Sequence, residues 1–281
     1  MRLPAVLASR FVAGETAESA IAVGAALHSR GVRATFDLLG EDVHDRASAE
    51  RAAAGSVELL RKIPATLERN VSVKLTNAGL DVSKELCLEL ATRILEVARE
   101  VGGFVRIDME GSDHTQATLD VFRELRERYD NVGCVLQAAL RRTEADVVEA
   151  IRRGDRVRLC KGAYREPARV AFQSMSEVRE SFRRCAELML EKGADPAIAT
   201  HDESLIQHAL GFARERGIPP DRFELQMLYG LRPGRWNALV AEGYRVRVYV
   251  PYGTHWLPYF YRRLRERKEN VLFVLRTLFR G

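Results

Sequence analysis

The sequence predicts an α/β protein: a single (βα)8 TIM-type barrel with an N-terminal flanking helix. Three observations carry that prediction. From Val32 onward, eight short β-rich runs alternate with amphipathic helical patterns, the repeat that such a barrel needs. No proline-rich or low-complexity linker interrupts the series, so residues 32–281 read as one catalytic barrel domain and 1–31 as the segment carrying the flanking helix. The GxGxxG turn that would accompany a doubly wound open sheet, the architectural alternative, is absent.

A helix is expected over Glu15–Arg30, before a first strand at Arg33–Leu38. Further strands are expected at Val71–Leu75, Phe104–Met109, Gly133–Gln137, Arg156–Cys160, Ala197–Thr200, Phe223–Leu228 and Arg245–Tyr249. Between them, Lys84–Val101 repeats Leu86, Leu90, Ile94, Val97 and Val101 at helical spacing, and Glu177–Lys192 does the same with Val178, Phe182, Cys185 and Met189. Gly102–Gly103, Gly217 and Gly243 stand where helices should stop. In the last unit Val246, Val248 and Val250 alternate with Arg247 and Tyr249, a Pro-Tyr-Gly turn follows, and an aromatic-rich helix starts near Pro258. The apolar run Val271–Phe279 is expected to be the eighth barrel helix, with contact to a membrane surface as the alternative.

Composition narrows the function classes. The 281 residues are 46% hydrophobic, enough for a sizeable core, and contain no apolar run long enough to span a bilayer. The start, MRLPAVLASRFVAGE, lacks the pattern of a secretory signal. Cys87, Cys134, Cys160 and Cys185 form no CxxC pair and read as reduced thiols of a cytoplasmic protein rather than as disulfides or metal ligands. The net charge of +5 raises nucleic acid as a partner, but the arginines are interleaved with glutamates, as in RELRERY, which marks solvated helix faces. Attraction to an anionic membrane surface stays open at the level any basic protein has.

Strands buried on both faces normally read as continuous aliphatic runs. Here Lys74, Arg106, Asp108, Gln137, Arg158, Glu224, Gln226, Arg247 and Tyr249 alternate with the aliphatics, which predicts a polar, ligand-filled barrel mouth. Lys74 and Lys161 lie at strand ends, where either could form a Schiff base. The favoured reading is an ammonium paired with Asp108 or with an anionic ligand. In RLCKGAYRE a strand that projects Arg158 runs into Lys161, Gly162 and Ala163, a turn suited to phosphate. Thr200 and His201 in THDE suit hydrogen bonds to a cofactor, and no HxH or HExxH spacing supports a metal site. Near the end, Tyr259, Arg262, Arg263 and Glu266 fall at helical spacing, so a carboxylate can brace two guanidiniums whose outer donors face an anion. GxSxG and Cys–His arrangements are missing, so the hard chemistry falls to an organic cofactor.

The segments SVKLTNAGLD, VRIDME, VLQAAL, VRLCKGAYREP, ATHDE, FELQMLYGLR and VRVYVPYG…YFYRRLRERKEN run in order from Phe11 onward. Together they resemble the flavin-dependent proline dehydrogenase family, especially its short monofunctional bacterial form. The resemblance implies a (βα)8 barrel holding FAD noncovalently, and oxidation of L-proline to 1-pyrroline-5-carboxylate in proline catabolism. It further implies hydride transfer to flavin N5, with electrons passed to a quinone.

By the same resemblance, Lys74, Arg262 and Arg263 would hold the substrate carboxylate. Leu228, Tyr249 and Tyr259 would pack around the ring, and Tyr164 would border the site. Asp108 and Arg158 fall at the family's active-site aspartate and flavin-facing arginine. Met109, Gln137, Lys161, Gly162, Ala163, Thr200 and His201, with Glu266, Arg267, Lys268 and Glu269, would line the FAD. Tyr249 argues for proline over hydroxyproline, since members preferring the latter have a smaller residue there. The chain departs from the family where Ala139 replaces a frequent tyrosine and Cys160 an aliphatic residue, and in having little sequence ahead of Phe11. The alternatives are a Schiff-base aldolase using Lys74 or Lys161, and a noncatalytic barrel binding a small acid or nucleotide.

Overall fold

The computed structural model describes residues 9–40 and 43–266, with side chains as far as Tyr261. Eight strands, β1 (Arg33–Leu38), β2 (Asn70–Val73), β3 (Phe104–Ile107), β4 (Val132–Gln137), β5 (Val157–Cys160), β6 (Ala197–Ala199), β7 (Glu224–Leu228) and β8 (Arg245–Tyr252), close into a barrel in chain order. Every neighbouring pair is parallel, and β8 closes on β1 from Arg33↔Arg247 to Leu38↔Tyr252.

The described helices are α1 (Ala17–His28), α2 (Arg46–Lys62), α3 (Lys84–Glu100), α4 (Thr115–Arg126), α5 (Thr143–Arg153), α6 (Met175–Lys192), α7 (Glu203–Glu215), α8 (Pro233–Ala241) and α9 (Trp256–Glu266). Side-chain oxygens start several of them by accepting from otherwise unpaired first-turn N–H groups: Thr16, Asp45, Ser83, Ser174 and Asp202. Thr16 and Ser174 do so within capping boxes. The expected boundaries hold to within a few residues.

Period-two alternation sorts the strand residues onto two faces. Val246, Val248 and Val250 are fully buried in the layer between sheet and helices, with Leu86, Leu90 and Ile94 of α3 in the same core. The polar residues take the barrel interior. Helix α1 flanks the barrel against β1 and β8. Gly24 permits that approach, because a Cβ there would run into the ring of Phe36.

The last strand is longer than expected. Pro251 and Tyr252 continue β8 instead of turning, because parallel pairing with β1 persists through Asp37↔Pro251 and Leu38↔Tyr252. Proline lacks only the donor; its carbonyl accepts from Ala13 N–H at 2.8 Å. Helix α9 begins at Trp256, so Pro258 sits in its first turn, where no intrahelical N–H bond is lost. Arg267, Lys268, Glu269 and the run Val271–Phe279 lie outside the described residues.

Candidate active site

The interior polar side chains separate into two levels. At the amino-terminal end Arg247 donates to Glu224 at 2.8 and 2.9 Å, to Glu68 at 2.9 Å and to the Ala34 carbonyl at 2.8 Å. Gln226 donates to Glu224 at 2.6 Å, and Arg33 stands 3.7 Å from the same carboxylate. Burial alone would raise the Glu224 carboxyl, but Arg247 holds it below its ordinary value. Arg106 donates to the carbonyls of Arg156 and Cys134 at 2.6 and 3.2 Å. Burial and the charge of Arg158 pull it down to about 9.

These contacts correct the expectation that all the inward charges face the mouth. Arg106, Glu224, Gln226 and Arg247 form a floor. Glu224 opens β7, and Arg247 stands in register with Arg33, the first residue of β1, so both belong to the opposite end of the barrel.

The upper level is the candidate site. Arg158 donates to Asp108 Oδ1 at 2.9 Å and, through both terminal nitrogens, to Ser72 Oγ at 3.2 Å. The hydroxyl of Tyr249 donates to Asp108 Oδ2 at 2.8 Å, and the Arg158 guanidinium lies 5.4 Å from the centre of the Tyr249 ring. Lys74 donates to both oxygens of Asp37 at 3.0 Å. Asp108 is therefore not the partner of Lys74, as the sequence suggested. Asp37 is the register neighbour of Ser72, two residues before Lys74, whereas both oxygens of Asp108 are taken by Arg158 and Tyr249.

Burial pushes the Asp37 carboxyl up against the pull of Lys74. Burial, reinforced by Asp108 and Asp37, pushes the Tyr249 hydroxyl well above its usual range, so it stays a donor at neutral pH. The Arg158 Nε is buried with no hydrogen-bond partner among the described residues. A buried guanidinium with one donor in reserve is a site that a ligand can complete.

The carboxyl-terminal rim between β3 and β6 is built from loops that hold one another. Met109 and Glu110 follow β3; Glu110 accepts from Thr76 Oγ1 at 2.6 Å, and its carbonyl accepts from Gln137 Nε2 at 2.7 Å. After β5, Gly162 has φ +104°, and a Cβ there would press on Ala139 and on Gln137 Oε1 at 3.1 Å each. Gly162 and Ala163 are exposed and Tyr164 is half-buried. Glu166 accepts from Ser112 N–H at 2.8 Å and from its hydroxyl, tying this loop to the one after β3.

After β6, Thr200 Oγ1 accepts from Asp202 N–H at 3.1 Å, and His201 Nε2 accepts from Leu228 N–H at 2.9 Å. Accepting at Thr200 Oγ1 leaves that hydroxyl its own proton, and accepting at His201 Nε2 puts the ring proton on Nδ1. Lys161 stands 3.4 Å from Asp202, which Arg179 also approaches at 2.8 Å. Burial notwithstanding, Arg179, Ser204 and Lys161 hold the Asp202 carboxyl far below its ordinary value.

Tyr259 is buried on α9, beside Leu228 at the end of β7. Arg262, Arg263 and Glu266 belong to the same helix, but their side chains are outside the described residues, as are Arg267, Lys268 and Glu269 altogether. Sequence reading overlooked Asp37, Ser72 and Asp202. The one signal for Asp37 is an acid amid the apolar residues of ATFDLLG.

Residues 20–276 match the model of a family described as proline dehydrogenase. Proline dehydrogenase 1 of Bacillus subtilis is 41% identical over 272 residues, which cover 96% of this chain and 90% of that protein. The proline dehydrogenase of Deinococcus radiodurans is 40% identical over 281 residues, 98% of this chain and 91% of that one. Among solved structures, proline utilization A from Bdellovibrio bacteriovorus, inactivated by N-propargylglycine, superposes with a TM-score of 0.83 at 29% identity. That match takes in 92% of this chain but 32% of the other, so the chain spans about a third of that protein.

Proposed function

The chain belongs to the proline dehydrogenase family, and from that premise we propose that it oxidises L-proline to 1-pyrroline-5-carboxylate with noncovalently bound FAD and passes the electrons to a quinone. It is an oxidoreductase acting on a CH–NH donor. When bound, the flavin would supply the hydride acceptor. Among the described residues no helix is long and apolar enough to cross a membrane. We place the protein in the cytoplasm, meeting its quinone at the inner-membrane surface.

The division of the barrel rim carries this conclusion. Met109, Gln137, Lys161, Gly162, Ala163, Thr200 and His201 occupy the consecutive ends of β3 to β6, and Lys74, Leu228, Tyr249 and Tyr259 come from β2, β7, β8 and α9. The first arc suits the cofactor: a glycine that no side chain could replace without crowding Gln137, a lysine, and the Thr200 hydroxyl. The second suits a small ring with a carboxylate. Asp108, after β3, and Arg158, on β5, reach across to Tyr249 of β8 and Ser72 of β2 and so link the two arcs.

Lys74 with Arg262 and Arg263 would grip the carboxylate through charge-assisted bonds, fixing the ring against Tyr249, Tyr259, Leu228 and Tyr164. Such anchoring turns binding energy into orientation. Asp108 holds Arg158 and Tyr249 in one rigid chain. The positive charge of Arg158 would stabilise negative charge building on the reduced cofactor. The substrate amine must be neutral to release hydride, so the rate rises with pH through the bound amine's ionisation.

An absorbance spectrum of the FAD-reconstituted protein tests the reading. Flavin bands that bleach when proline is added without oxygen are the expected result. A preparation that takes up no FAD and is trapped covalently by borohydride with a carbonyl substrate would belong to an aldolase. One that binds proline without bleaching would be a noncatalytic barrel.

A further inference from the structure

Beside the main core lies a second apolar cluster, made of Phe11, Val12, Leu39, Leu231, Tyr259 and Phe260, with Leu228 and Trp256 packed against it. It joins the start of the described chain to α9. Phe11 is fully buried; its ring lies 6.1 Å from that of Phe260, which in turn meets Trp256 edge-on at 6.1 Å. The backbone around Phe11 is held as firmly as the ring. Ala13 N–H donates to the Pro251 carbonyl at 2.8 Å, and Gly253 N–H donates to the Gly14 carbonyl at 3.0 Å. On the other side Arg10 passes so close to Gly230 (φ +77°) that a Cβ there would collide with the Arg10 carbonyl.

We propose that the segment 10–14 is a strut that sets the height of α9 over the barrel mouth, with Phe11 as a positioning residue for the arginine pair on that helix. Phe260 is two residues before Arg262, and Tyr259 one turn before it, so a ring seated against Phe260 acts on the same helical turn. The strut touches α9, β8 and the loop after β7 together. Removing the Phe11 ring leaves a cavity under the first turns of α9, into which the helix can sink or tilt. The inference rests on the reading that Arg262 and Arg263 grip the substrate carboxylate.

Phe11→Ala, Phe11→Leu and Arg262→Met are compared with the parent, each reconstituted with FAD, by the ratio of kcat/KM for proline to that for pyrrolidine, which lacks the carboxylate. Phe11→Ala should lower this ratio about tenfold through KM for proline, and Phe11→Leu should restore most of it. A merely structural loss would lower both substrates alike. Should Phe11→Ala fold poorly, Phe260→Leu perturbs the same contact and must shift the ratio in the same direction. If Arg262→Met collapses the ratio while the Phe11 and Phe260 variants leave it intact, the strut is overturned. If Arg262→Met also leaves it intact, the carboxylate grip itself falls, and the strut with it.

Discussion

Tyr249 and Asp108 are joined by a 2.8 Å hydrogen bond across the barrel, from the eighth strand to the residue after the third. The acceptor also carries Arg158 on its other oxygen. One carboxylate thus fixes a phenol and a guanidinium at a set separation, and on the proposed reading this ties the place of the substrate to the place of the charge that assists its oxidation.

Tyr249→Phe removes only the hydroxyl. Asp108 keeps Arg158 but loses one neutralising donor, and a hydrogen bond to a charged group is worth about 1.5–3 kcal/mol. Flavin reduction by saturating proline, followed in a stopped-flow instrument, should slow about tenfold for a loss near 1.4 kcal/mol.

Lys74→Met strands the buried Asp37 carboxylate. Breaking a buried pair in this way costs about 3–5 kcal/mol. Lys74→Met/Asp37→Asn should recover most of that stability in urea denaturation, while the KM for proline stays as high as in the single variant. Recovery of both together would show that Lys74 serves the fold and not the substrate.

Arg158→Met and Arg262→Met should separate two roles. Arg158→Met slows flavin reduction more than it weakens proline binding, because its charge acts where negative charge develops. Arg262→Met raises the KM for proline sharply with the flavin retained. Unchanged proline saturation in Arg262→Met removes the carboxylate-grip assignment.

Glu224→Gln should reduce stability, by up to about 3–5 kcal/mol, without changing turnover per folded molecule, since Arg247 lies on the floor and not at the mouth. The pH dependence has a definite sign. The folded carboxyl lies below its ordinary 4.5, so its contribution is complete above about that pH and fades as acid protonates the folded form. Thermal unfolding of parent and variant should differ at pH 7 and converge well below pH 4.5.

Strand order and most of the mouth were legible because each (βα) unit repeats the same local pattern, from Arg33–Leu38 to the valines of β8. Depth along the barrel was not. Arg247 and Tyr249 are two residues apart and project to the same interior, yet one braces the floor and the other meets Asp108. Choosing Asp37 over Asp108 as the partner of Lys74 needs the shear of the closed sheet, which puts β1 beside β2 at Ser72. The end of β8 was misjudged because Pro-Tyr-Gly resembles a turn wherever no neighbouring strand is there to pair with it.

The floor formed by Arg106, Glu224, Gln226 and Arg247 makes the barrel, among the described residues, a cup rather than a pipe. On the proposed reading, product and incoming proline share the mouth that this floor faces, so accumulating product should obstruct the next turnover by occupancy alone.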